Sequence, residues 1–153
     1  SLTGRSGPRP VVNTFAYEGG PQFSPNGHWM AHASDESGQM QVYVRPFPGP
    51  DRRWQLSSQG GTQPLWNRNG SEIFYRMGNK MMVVDVSAGV DRLLSPPRQL
   101  FDQRYVFQNI SAANYDVSPD GQRFVMIKDE AGSGRLNVVL NWTEELKRLV
   151  PLR

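Results

Sequence analysis

The sequence predicts an all-β chain made of β-propeller blades, and three observations carry that expectation. The stretch Phe23-Ser24-Pro25-Asn26-Gly27 returns as Val117-Ser118-Pro119-Asp120-Gly121 and, in altered form, as Trp66-Asn67-Arg68-Asn69-Gly70. Each copy is an apolar residue, a turn and then a strand-like run. The turn glycines lie 43 residues apart (27 to 70) and then 51 apart (70 to 121), and a period in the forties with several short strands per unit marks propeller blades.

Composition agrees. A length of 153 residues suits one domain. Hydrophobic residues at 37%, with 15 Gly and 12 Pro, point to short strands and many turns rather than long helices. The net charge of +3 comes from 17 basic and 14 acidic residues scattered along the chain, without the basic stripe that nucleic-acid binding requires. The absence of cysteine removes disulfides and thiolate metal sites. No segment has the roughly 18 apolar residues of a membrane span, so a soluble chain without membrane insertion is expected.

Residues 1–10, rich in Gly, Pro and Ser, are expected to be a flexible lead-in to a propeller segment over 11–153. Val11 to Tyr17 is β-branched and aromatic and predicts a strand, with Gly19-Gly20-Pro21 as its breaker. The first blade, about 20–61, has strands at Gln22–Ser24, His28–Ser34, Gln39–Phe47 and Arg53–Ser57. Its Pro25-Asn26-Gly27 turn takes φ from proline and positive φ from Asn-Gly. The second blade, about 62–102, repeats the order with Gln63–Trp66, Glu72–Arg76, Lys80–Val86 and Arg98–Phe101. The third, about 114–142, has Asn114–Val117, Arg123–Lys128 and Leu136–Leu140, with a turn over Asp129–Gly134. The Asn141/Glu144 capping spacing, the Leu146, Leu149 and Val150 periodicity and the stop at Pro151 then predict a short C-terminal helix over 143–150.

The expected strands fill three four-stranded blades only if the one at 11–17 completes the last blade. Propellers have about 4 to 8 blades, so three cannot close a ring. A half-propeller that dimerises into a six-bladed ring solves the problem, the N-terminal strand of one copy pairing with Leu136–Leu140 of the other. A piece of a longer propeller is the alternative.

The runs FSPNGHWMAHASDESGQMQVYVRPFPGP, GGTQPLWNRNGSEIFYRMGNKMMVVDV and YDVSPDGQRFVMIKD resemble the TolB-like, WD-repeat-like (PD40-type) propellers of bacteria. The tail VVLNWTEELKRLVP is similar to the end of propellers attached to bacterial serine/threonine kinases. The resemblance implies a bacterial source and, for a propeller detached from a membrane-anchored parent, a place outside the cytoplasm. It implies no chemistry, because Pro25, Gly27, Pro119, Asp120 and Gly121 shape a turn. The kinase is absent, with no glycine-rich loop and lysine, no H-R-D and no D-F-G.

No motif supplies catalysis. His28 and His32 share a strand face but stand about 13 Å apart, too far to share a metal ion. Asp35-Glu36 and Asp129-Glu130 read as solvated turns. Gly132-Ser133-Gly134 is neither a nucleophile elbow nor a dinucleotide fingerprint. Trp29, Trp54, Trp66 and Trp142 recur at blade-like intervals and are expected between blades. The extra length of the third period sits in Gln103–Ala113, and unusually long connections in a compact array tend to be functional or disordered. Arg104, Tyr105, Phe107 and Asn109 are therefore the candidate ligand or partner contacts. The expected function is a non-catalytic binding or assembly module that needs no cofactor or metal and offers its channel and loop face to a protein, peptide or small ligand. The alternatives are the propeller part of a prolyl-peptidase-like hydrolase and a sensor appendage of a kinase.

Overall fold

The computed structural model describes residues 7, 10–87, 94–107, 110, 112–128 and, as a strand, 136–139. Most of the expected lead-in, the Asp129–Gly134 turn, Asn109, Trp142 and the helix over 143–150 lie outside the described residues. Every regular element among those described is a β-strand. Strands β1 (Glu18–Phe23), β2 (Trp29–Ser34), β3 (Gln41–Pro46) and β4 (Trp54–Gln55) form one antiparallel meander. Strands β5 (Thr62–Trp66), β6 (Glu72–Met77), β7 (Lys80–Asp85) and β8 (Arg98–Asp102) form a second. A third sheet holds β9 (Tyr115–Val117), β10 (Phe124–Ile127) and β11 (Leu136–Val139) in the same sequential order.

The repeated turns share one hydrogen-bond plan. Gly27, Gly70 and Gly121 donate their N–H to the carbonyls of Ser24, Asn67 and Ser118 at 2.8, 2.9 and 2.8 Å. The side-chain oxygens of Asn26, Asn69 and Asp120 accept from the backbone N–H two residues on. The sequence led to positive φ at both Asn and Gly; only the glycines have it, at 72°, 74° and 72°. Each turn is thus a type I turn closed by a left-handed glycine, as in longer hairpin loops. Pro at the second position suits that turn but is dispensable, and Arg68 takes its place in the middle copy.

The structure corrects the start of the first sheet. Gly19-Gly20-Pro21 is no breaker but lies within β1, where the register shifts between Gly19 and Gln22. The same irregularity recurs in β5 between Thr62 and Leu65. Gly20 at φ 58° precedes Pro21 as Gln63 at φ 55° precedes Pro64. A bulge fits a proline into a strand because the proline makes no ladder bond there. Val11–Tyr17, expected as a strand, forms no ladder within this chain. Its backbone is tied instead at Tyr17, whose N–H donates to Asp35 Oδ1 at 2.8 Å.

Side-chain alternation divides the core in two. On β6 and β7, Ile73, Tyr75, Met82 and Val84 pack against Ala31, Val42, Val44 and Leu56 of the first sheet, with Trp66 completing the cluster. The interleaved Phe74, Met81 and Val83 pack against Tyr115, Val117, Phe124 and Met126 of the third sheet, with Leu100 and Tyr105. Both faces of the middle sheet are therefore buried, which is why KMMVVD is an unbroken apolar run between its charged ends. Each fully buried side chain of this size contributes roughly 1.5–3 kcal/mol. On the far face of the third sheet, Val125 and Ile127 stay 37% and 36% exposed.

Candidate functional site

In a meander the connections alternate between two ends of the sheets. The β1–β2 and β5–β6 turns lie at one end. The β2–β3 and β6–β7 turns lie at the other, with the links that carry the chain from β4 to β5 and from β8 to β9. A recess of about 430 Å³ opens at this second end, within the roughly 300–1,000 Å³ of ligand pockets. Gln39 and Met40, Gln59 to Thr62, Arg76 to Asn79, and Phe107 line it.

Arg76 is the charged group of this recess and is only 2% exposed. It shares the β6 face of Phe74, which turns it toward the link between β8 and β9. Its Nε and Nη2 donate to the Gly78 carbonyl at 3.4 and 3.1 Å, and its Nη1 donates to the Val106 carbonyl at 3.4 Å. The Phe107 ring centroid stands 6.0 Å from the guanidinium carbon. Among the described residues no carboxylate pairs with it. The contrast is Arg45, 7% exposed, whose Nη2 meets Asp51 Oδ1 at 2.6 Å. Burial draws the pKa of Arg76 below its ordinary value, with Tyr115 and Tyr105 opposing, but a guanidinium keeps its charge in proteins. A buried cation held only by carbonyl dipoles is costly unless an anion joins it.

The link over residues 103–107 is fixed to its surroundings. The Val106 N–H donates to Ile127 O at 2.8 Å, and Val106 O also accepts from Asn114 Nδ2 at 2.6 Å. Of the contacts expected from sequence, Phe107 lines the recess and is 49% exposed. Arg104 is exposed on the same link. Tyr105 is 7% exposed, packs edge-on against Phe101 and donates its hydroxyl to Gln103 Oε1 at 2.9 Å. Its place is in the core between the second and third sheets. Asn109 lies outside the described residues. Arg76 was missed because, near the end of EIFYRM, it reads as a solvated strand terminus. The signal available was its parity with Phe74, an inward position.

Two other places gather polar side chains. A recess of about 310 Å³ at the opposite end is lined by Ser24, Asn26, Trp29, Trp66, Asn69 and Ser71 among others. Its Ser and Asn side chains already bond one another and the turn backbone. The second place is a Ser-His-Glu group on the first sheet. Glu18 Oε2 stands 3.3 Å from His32 Nε2, and Ser34 Oγ donates to Glu18 Oε1 at 3.1 Å. The serine thus bonds the carboxylate rather than the imidazole and is wholly buried, so this is not the nucleophile–base order of a hydrolase. The described residues contain no group of three or more His, Asp or Glu able to hold a metal ion. No helix among them is long and apolar enough to cross a membrane.

Sequential antiparallel sheets packed face to face over shared cores, each opened by the same turn, are propeller geometry. Among solved structures the chain is similar to TolB from Acinetobacter baumannii, with a TM-score of 0.56 and 17% identity over 85% of this chain. The fold is TolB-like. A proposed TolB from Agrobacterium tumefaciens matches with a TM-score of 0.55 and 17% identity over 84% of this chain. The chain spans 33% of the first protein and 46% of the second. No family model matches the sequence, and no curated protein matches it. The recess beside Arg76 lies at the end of the sheets where the chain crosses from one sheet to the next.

Proposed function

We propose that this chain is a non-catalytic binding and assembly module that presents its crossover face to a ligand. The observation that carries this reading is the recess itself, assembled from turns of the first two blades and the link to the third, with a buried guanidinium at its wall. The hydroxyls of Ser24, Ser118 and Ser34 are engaged in local hydrogen bonds. Ser24 Oγ donates to Asn26 Oδ1 at 2.7 Å and accepts from the Trp29 N–H at 3.0 Å, Ser118 Oγ donates to Asp120 Oδ1, and Ser34 is buried against Glu18.

Assembly belongs to the same reading. Val125 and Ile127 leave one flank of the third blade uncovered, and a second copy placed around a two-fold axis closes the blades into a six-membered ring. Val11–Tyr17 is the segment available to reach the neighbouring copy.

The test is an assay of the purified chain against ester and peptide substrates, paired with its solution mass. No turnover that depends on a single residue is expected. Turnover abolished by one substitution, at Ser24, Ser118, His28 or His32, overturns the non-catalytic reading.

A further inference from the structure

We propose that the crossover-face recess anchors a carboxylate, Arg76 supplying the fork that receives it and Phe107 with Met40 and Met77 covering the apolar group beside it. This rests on the binding-module reading above and specifies its ligand. A guanidinium has five N–H donors. Three of them reach the carbonyls of Gly78 and Val106, two of those at 3.4 Å, which leaves one N–H on each terminal nitrogen. Two parallel donors match the two oxygens of a carboxylate.

Charge balance separates a carboxylate from a phosphate. Arg76 is the one cationic side chain among the residues lining the recess, and no acid accompanies it. One positive charge balances one carboxylate, whereas a phosphate carries nearly two negative charges at neutral pH and is usually met by several cations. The rest of the polar lining is uncharged: Gln39, Gln59, Thr62 and Asn79. These groups suit the amide or hydroxyl of a ligand body. The half-exposed Phe107 ring and the two methionines suit an aromatic or aliphatic flank.

The experiment titrates the full chain with N-acetyl-phenylalanine and, separately, with its C-terminal amide, following binding by heteronuclear NMR and calorimetry. The acid is expected to bind at least about tenfold tighter than the amide. Arg76→Gln is expected to erase that preference and Arg76→Lys to keep only part of it, since an ammonium lacks the fork. Gln59→Glu leaves Arg76 in place, so it decides the matter even if Arg76→Gln fails to fold. The new rim carboxylate competes for the guanidinium and weakens the acid while sparing the amide. Equal affinity for acid and amide, no binding of the acid, tighter binding of inorganic phosphate, or a preference that survives folded Arg76→Gln overturns the anchor. A tripeptide ending in phenylalanine with a free carboxylate distinguishes sources: tighter binding than the single residue indicates peptide ends, weaker binding indicates small acids, and both support the anchor. Hydrolysis of any probe overturns the non-catalytic reading instead and shows itself as product, so the two failures are told apart.

Discussion

The Tyr115 hydroxyl donates to the Gln63 carbonyl at 2.8 Å, tying the first strand of the third sheet to that of the second. Trp66 Nε1 does the same one junction earlier, donating to the Gln22 carbonyl at 3.1 Å. Each junction thus has an aromatic from the later sheet reaching a backbone oxygen at the bulge of the earlier one. Tyr115→Phe keeps the ring and removes this hydrogen bond, so it should cost about 0.5–1.5 kcal/mol. Urea unfolding of the variant against the parent checks this, and an unchanged midpoint would show that the carbonyl finds other company.

Gly27 and Gly121 offer a matched pair. Both sit at φ 72° in the same turn. A Cβ on Gly27 would meet nothing within 4 Å, whereas one on Gly121 would stand 2.5 Å from Asn67 Nδ2, a buried side chain of the second sheet's first turn. Gly27→Ala should cost about 1–2 kcal/mol for the left-handed backbone alone. Gly121→Ala should exceed it by about 1–3 kcal/mol for overpacking. The difference between the two midpoints measures how tightly successive turns stack, and equal losses would mean that Asn67 gives way.

The strands were legible in the sequence because they depend on local chemistry. Asn-Gly and Asp-Gly turns, β-branched runs and two-residue alternation placed β2, β3, β6 and β7 within two residues of where they lie. The bulges were not legible, since Gly-Gly-Pro breaks a chain unless a partner strand tolerates an extra residue. Of the candidate contacts, one lines the recess. The extra length of the third period led to Phe107, but Tyr105 shows that an aromatic with a polar tip serves equally well as a core residue with one hydrogen bond. Within EIFYRM the parity of Arg76 with Phe74 marks an inward position, but the link that covers it follows β8 and leaves no trace in that run.

His32 sets a pH dependence. Burial holds its pKa below the ordinary 6.5, outweighing the pull of Glu18, while Arg45 and Arg53 push the same way as burial. The neutral ring is thus favoured when folded, and the unfolded chain takes up the proton first. This contribution is complete above pH about 6.5 and is lost as the pH falls through the lower, folded pKa. Thermal unfolding between pH 7.5 and 5 should therefore show a falling midpoint in the parent and a smaller fall in His32→Gln. Parallel curves would place the acid sensitivity elsewhere.

The proposed ring makes a prediction of its own. At micromolar concentration, light scattering should give twice the chain mass, and Val125→Asp with Ile127→Asp should lower it to one chain. Removing residues 1–16, which spares the Glu18 contact with His32, should weaken assembly and stability together. A folded, soluble parent monomer at that concentration overturns closure by a second copy.

Strand β7 carries a parity that turns it into a pair of gauges. Met82 and Val84 report on one junction, Met81 and Val83 on the other, although they alternate along four consecutive residues. Methyl probes at these neighbouring positions would register separate events if the array peels from one end, and simultaneous ones if it opens as a unit. A single strand in the middle blade can therefore distinguish sequential from concerted melting without a label anywhere else in the chain.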